Sequence, residues 1–230
     1  MTQHIGIVAC SAEGAALCYR TICVEGAELL GRHAHPEVSM HTHSLARYMN
    51  CIYANDWAGV ADLMLASADK LAKMGADFLI CPDNTIHQAF ELVEHRSPRP
   101  WLHIAQQVAN EASRCHYKRL AVLGTRYLME GPVYLQVLQA AGLEWRVPGE
   151  KERERINQII FDELVYGQFT ARSLAYFVEV IRALADEGCD AVALACTEIP
   201  LLVGPESSPL PTLDSTRLLA KAALRRAAGS

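Results

Sequence analysis

Short apolar runs alternate along nearly the whole of this 230-residue chain with longer stretches in which apolar residues recur every three to four positions. The first pattern is that of buried strands and the second that of amphipathic helices, and their alternation is what βαβ units around parallel sheets require. Strands are predicted over residues 5–9, 38–43, 78–81, 101–104, 120–123, 144–147 and 191–195. Helices are predicted over 12–31, 57–74, 88–95, 105–116, 131–140, 150–166, 171–187 and 215–228.

Two proline-rich breaks interrupt the alternation, at 96–100 and 204–211. They divide the chain into an N-terminal α/β subdomain, residues 1–97 with 208–230, and a C-terminal α/β subdomain, residues 98–207. The two segments read as copies of one another. An offset of 113 residues aligns Leu71 with Leu184, Ala72 with Ala185, Gly75 with Gly188 and Asp77 with Asp190, each block leading into a strand, and it lays Asp83 on Cys196. Earlier in each segment, residues 6–10 align with 121–125 at an offset of 115. Two unrelated βα units share helix, glycine and strand by physics alone, so coincidence is the competing account. The expected fold is α/β, with two similar open parallel-sheet subdomains related by a pseudo-twofold axis and an active site in the cleft between them. Ligands of open α/β sheets bind outside the carboxyl ends of the strands.

Composition narrows the function. The chain is 51% hydrophobic and 20% charged, ordinary for a globular protein, and its formal charge of -5 supplies no basic footprint for nucleic acid or an anionic membrane. A small molecule is the expected partner. The opening MTQHIGIVAC lacks a basic n-region and a cleavage site, and no stretch approaches the roughly 20 apolar residues that span a bilayer, so a cytoplasmic location is expected. The eight cysteines form no CxxC pair and read as reduced thiols, most of them buried.

Chemistry is concentrated where strands should end. In CPDNTIHQAF, residues 81–90, a carboxylate, an amide, a hydroxyl and an imidazole follow directly on an apolar run. Asp83 has three readings: a general base, a binder for a substrate ammonium group, or an N-cap for the helix that follows. Cys196 follows the strand at 191–195 and precedes Thr197 at an expected helix N-terminus, where backbone N–H groups would stabilise a thiolate. If the subdomains face one another, Asp83 and Cys196 approach one bound molecule from opposite sides. That suits a reaction in which a proton leaves one face of a carbon and another arrives on the opposite face. Glu198 and His87 are candidate hydrogen-bond partners of the thiolate. Arg47 and Arg126 lie in loops after strands, where a guanidinium meets an anionic group in bidentate fashion. The pairs His33/His35 and His41/His43 invite a metal reading, which the strand alternation opposes; no metal is expected.

The stretches 195–202 (ACTEIPLL), 82–87 (PDNTIH), 123–127 (LGTRY), 101–105 (WLHIA) and 156–164 (INQIIFDEL) resemble the cofactor-independent aspartate/glutamate racemase superfamily, in order and over essentially the whole chain. The resemblance implies two α/β subdomains with a pseudo-dyad, a homodimer, no PLP and no metal, so no cofactor, and a two-base mechanism at the α-carbon of an acidic amino acid. It also implies Cys196 as a catalytic residue, with Asn84, Thr85, Thr125 and Thr197 binding the substrate carboxylate; the residues themselves add Asp83 as the second catalytic candidate and Ser11 and Arg47 as further substrate-binding candidates.

The chain departs from the family pattern at several positions. Asp83 stands where most members carry a first cysteine, Cys81 being two residues earlier on the strand. The first loop is a residue short, Val165 occupies a position where many members have lysine, and Leu219 one where a histidine is expected. A PLP-independent amino-acid racemase or epimerase is therefore the leading expectation. A decarboxylase or other lyase using Cys196 as sole acid, a small-acid binding protein that turns nothing over, and a metal-dependent hydrolase follow in that order.

Overall fold

The computed structural model describes residues 2–229. It divides into two compact units, residues 2–104 with 216–229 and residues 105–215. The boundaries lie one strand beyond the proline-rich breaks that the sequence suggested. The prolines at 98 and 100 bend the chain into a strand that still belongs to the first unit, and those at 209 and 211 lead into one that belongs to the second.

In the first unit β1 (Ile5–Ala9), β2 (Val38–Thr42), β3 (Phe78–Ile80) and β4 (Trp101–Leu102) form a parallel sheet in the order β2-β1-β3-β4. Its helices are α1 (Ala12–Leu30), α2 (Leu45–Tyr53), α3 (Trp57–Lys73) and α4 (Phe90–Glu94), with a 3₁₀ turn at Thr85–Ala89. The second unit repeats the order. Here β5 (Arg119–Leu123), β6 (Glu144–Arg146), β7 (Ala191–Leu194) and β8 (Thr212–Asp214) are arranged β6-β5-β7-β8, all parallel. Between and around these strands run α5 (Ile104–Arg114), α6 (Arg126–Glu130), α7 (Pro132–Ala140), α8 (Glu150–Asp162), α9 (Ala171–Asp186) and α10 (Ile199–Leu202), and α11 (Ser215–Ala228) closes the chain.

The inner strands are those with unbroken apolar runs. β1, β3 and β7 are buried at every residue, as strands covered on both faces must be, whereas β2 and β6 are edges that leave alternate side chains partly in water. Ile5, Ile7, Phe78 and Ile80 pack with Cys18 and Ile22 of α1 and with Leu219, Ala220 and Ala223 of α11 to make the first core. Leu123, Val192 and Leu194 pack with Ile156, Ile159 and Ile160 of α8 and Phe177 and Ile181 of α9 to make the second.

The repeated Gly-x-Asp blocks do the same work in both units. Gly75 and Gly188 end their helices at φ of 96° and 89°, the left-handed region that favours glycine. Two residues on, Asp77 accepts from the His4 N–H at 2.7 Å, and Asp190 accepts from the Lys118 and Arg119 N–H groups at 2.6 and 3.1 Å. Each carboxylate thus pins the start of the neighbouring inner strand. The strand register keeps the earlier offset of 115, since Ile5 pairs with Phe78 as Leu120 pairs with Ala191; the loop after β5 is one residue shorter than that after β1, so the helix caps that follow, Ser11 and Thr125, stand 114 apart.

Candidate active site

In the first unit, β1 and β3 run side by side with Ile7 opposite Ile80, so the residues that leave their carboxyl ends share one edge of the sheet. Ser11 caps α1, its hydroxyl accepting from the Gly14 N–H at 3.3 Å. The chain leaving β3 passes through Cys81 and Pro82 to Asp83, whose Oδ1 accepts from the Ile86 N–H at 3.2 Å. The capping reading of Asp83 is therefore realised, although Oδ1 alone accounts for it. Asn84 is buried and Thr85, half-buried, opens the 3₁₀ turn. Cys81 is fully buried, and burial, reinforced by Asp83, pushes its thiol well above the usual range, so it remains a neutral thiol. Tyr48 of α2 is also fully buried; burial first, then Cys81 and Cys10, raise its phenol and keep it protonated.

His87 does not serve the cysteine. Its Nδ1 donates to the carbonyl of Asp83 at 2.6 Å, and its Nε2 accepts from the Ile104 N–H at 3.4 Å, so the sequence assignment of His87 to the thiolate is corrected. Burial, with His103 next to it, holds the His87 pKa well below the ordinary imidazole value, and burial pushes His103 down to about 4.

In the second unit, β5 and β7 run side by side with Leu123 opposite Leu194. Thr125 caps α6 by accepting from the Leu128 N–H at 3.2 Å, the counterpart of Ser11. Before it, Gly124 lies so close to β7 that a Cβ would stand 2.7 Å from the Ala195 carbonyl oxygen. Cys196 and Thr197 follow β7, both buried, and both donate to one oxygen of Glu198: Cys196 Sγ at 3.0 Å and Thr197 Oγ1 at 2.7 Å. Glu198 is itself only 4% exposed. The sequence placed Cys196 at a helix N-terminus. The helix that follows, α10, begins only at Ile199 and is four residues long, and the group set beside the sulfur is a carboxylate.

Other sequence candidates lie apart from these strand exits or are engaged elsewhere. Arg47 is exposed in the first turn of α2 and donates to His43 Nδ1 at 3.1 Å. Arg126 lies over the Tyr127 ring, 5.7 Å from its centroid. His41 bonds Ser67 at 3.0 Å and Lys70 at 2.8 Å, and among the described residues no group of three or more His, Cys, Asp or Glu is placed to share a metal ion. Val165 packs against the second core and Leu219 is buried in the first, so both family departures are apolar packing positions. Asn157 escaped the sequence reading. Its Oδ1 accepts from the Arg126 N–H at 2.9 Å and orders the turn that carries Thr125, a contact across 31 residues for which spacing offers no signal. No helix among the described residues is long and apolar enough to cross a membrane.

Two parallel sheets of like order, each followed at the ends of its inner strands by titratable and hydroxyl side chains, define an α/β protein of two similar units. Residues 7–223 match the Asp/Glu/Hydantoin racemase family, and the chain belongs to it. Over 160 residues it is 28% identical to the broad specificity amino-acid racemase RacX of Bacillus subtilis (strain 168), covering 69% of this chain and 68% of that one. A Yersinia pestis structure designated a candidate Asp/Glu racemase superposes with a TM-score of 0.90 at 28% identity, covering 98% of this chain and 99% of its own. An aspartate racemase homologue from Pyrococcus horikoshii OT3 gives 0.85 at 25% identity over the whole of both chains.

Proposed function

We propose that this protein racemises an amino acid without PLP, with Cys196 and Asp83 exchanging the α-proton on opposite faces of one bound substrate. The observation that carries the reading is the placement of Asp83 and Cys196 after corresponding inner strands of two sheets of the same order, in a chain of the racemase family. Ser11 and Thr125 at the neighbouring exits, with Asn84 and Thr85, supply donors to the substrate carboxylate, where negative charge grows as the α-proton leaves; Thr197, whose hydroxyl proton goes to Glu198, joins them through its backbone N–H. Arg47 meets a more distant group of the substrate.

Cys196 passes its proton to Glu198 and becomes a thiolate. The thiolate removes the α-proton of the L enantiomer, regenerating the thiol and leaving a carbanion stabilised by its carboxylate. Asp83, in its acid form, delivers a proton to the opposite face and becomes a carboxylate. The reverse direction uses the same groups in exchanged roles. A broad-specificity relative and two apolar departures, Val165 and Leu219, favour substrates beyond the acidic amino acids. The working enzyme is proposed to be a cytoplasmic homodimer, on the family resemblance.

Incubation in D2O with a panel of amino acids, followed by proton NMR and chiral chromatography, tests the reading. Deuterium at Cα together with loss of optical purity is the expected result. Loss of a carboxyl group as CO2 would assign the lyase alternative, and tight binding of an amino acid with no exchange would assign a binding protein.

A further inference from the structure

We propose that His87 is a positioning residue which clamps the backbone of Asp83 to the exit of β4, and so fixes where the Asp83 carboxylate meets the substrate. The inference rests on the two-base reading, and it concerns a residue that reading does not use.

Asp83 is held at two points one turn apart. Its carboxylate accepts from the Ile86 N–H, and its carbonyl accepts from His87 Nδ1 at 2.6 Å, the shorter of the two contacts. The other ring nitrogen, Nε2, accepts from the N–H of Ile104. Ile104 is the first residue of α5, so its N–H has no partner within the helix, and the imidazole satisfies it. One nitrogen donating and the other accepting requires a neutral ring protonated at Nδ1. The ring is also fixed in plane. It stacks on Phe90 with centroids 5.5 Å apart and 14° between planes, it meets His103 edge-on at 4.6 Å, and it is only 3% exposed.

The exit of β3 is otherwise a short irregular stretch, Cys81 to Asn84, between a strand of three residues and a 3₁₀ turn. A rigid buried ring that bridges this stretch to the next strand exit removes its freedom to drift. Proton transfer to carbon needs that restraint, since a misplacement of about 1 Å costs roughly 10²-fold in rate. A histidine present only to fill the core would affect both faces of the reaction alike. A clamp on Asp83 affects the face that Asp83 serves.

The test compares two variants with the wild-type enzyme. His87→Asn keeps an N–H donor near the place of Nδ1, whereas His87→Phe keeps ring volume and removes both hydrogen bonds. Deuterium wash-in from D2O is followed separately from the L and the D enantiomer of an amino acid that the wild type racemises. In His87→Phe the wash-in starting from the D enantiomer should fall about 100-fold and that from the L enantiomer by less than about threefold; His87→Asn should recover most of the loss. Equal losses on both faces, or no loss in a folded His87→Phe, overturn the proposal. The 15N spectrum of the wild-type histidines supplies a readout independent of turnover. A neutral His87 protonated at Nδ1 is expected, and a ring protonated at Nε2 or at both nitrogens overturns the clamp whatever the activity. If the wild type exchanges no α-proton at all, the racemase reading fails by that result alone, and the 15N spectrum still decides the clamp.

Discussion

The Cys196 thiol donates to Glu198 Oε2 at 3.0 Å, two residues along the same turn, and both groups are buried. A thiol must lose its proton before it can take one from carbon, and Glu198 is the acceptor already in place. Glu198→Gln keeps size and an acceptor oxygen but removes the group that can take up a proton. We expect kcat to fall about 10²-fold with little change in KM, the range associated with losing a positioned base. Steady-state kinetics in both directions check this, and an unchanged kcat would make Glu198 a packing residue.

Asp83 caps a turn, and the base role proposed for it is separable from that cap. Asp83→Asn retains an Oδ1 that accepts from the Ile86 N–H, so stability should hold within about 0.5 kcal/mol while racemisation is lost. Asp83→Ala removes the cap as well and should cost about 1 kcal/mol more. Urea midpoints together with chiral assays of the two variants decide between cap and base. Full activity in Asp83→Asn would leave the cap as its whole role.

Cys196→Ser preserves shape but replaces a thiol with a hydroxyl whose conjugate base is far harder to form. Turnover should nearly vanish with the thermal midpoint almost unmoved. Wild-type activity in this variant would remove Cys196 from the mechanism.

Gly124 tests how closely the two inner strand exits of the second unit approach. A methyl group there would meet Leu128 Cδ2 at 2.5 Å and the Ala195 carbonyl oxygen at 2.7 Å, and the backbone contact cannot rotate away. Gly124→Ala should destabilise by about 1–3 kcal/mol and displace Thr125 and Cys196 together. The checks are a lower denaturation midpoint and a larger loss of kcat than the midpoint predicts.

Acid should weaken the first unit through its imidazoles. His103, held near about 4 by burial, and His87, held well below the ordinary value, are both neutral when folded. Each takes up a proton near pH 6.5 once unfolded. The unfolded chain therefore binds more protons below that pH, and stability rises with pH through this window. The contribution is complete above about 6.5 and is lost progressively as pH falls toward about 4, amounting to about 3 kcal/mol for His103. His103→Gln should flatten the difference in urea midpoint between pH 7 and pH 4.5 relative to the wild type. An identical slope would show that His103 titrates normally in the fold.

The inner strands and the doubled α/β plan were legible in the sequence alone. An unbroken apolar run such as the one in β1 or β7 excludes water from both faces, and this is a local property that composition records directly. The Gly-x-Asp repeat was legible for the same reason, since a left-handed glycine and a strand-pinning carboxylate are required at fixed spacing. What periodicity could not decide was anything set by a partner distant in sequence. β8 (Thr212–Asp214) lies among prolines and becomes a strand only because Val192 to Leu194 pair with it. α2 buries only Tyr48 and Ile52 fully, too few positions to announce a helix. The stretch 81–90 announced a functional turn, but its carboxylate, amide and hydroxyl suit a cap, a base and a binding site equally. Tertiary structure alone turned His87 away from the cysteine and onto the Asp83 carbonyl, because the ring's second nitrogen meets the unpaired first N–H of α5, 17 residues further along the chain.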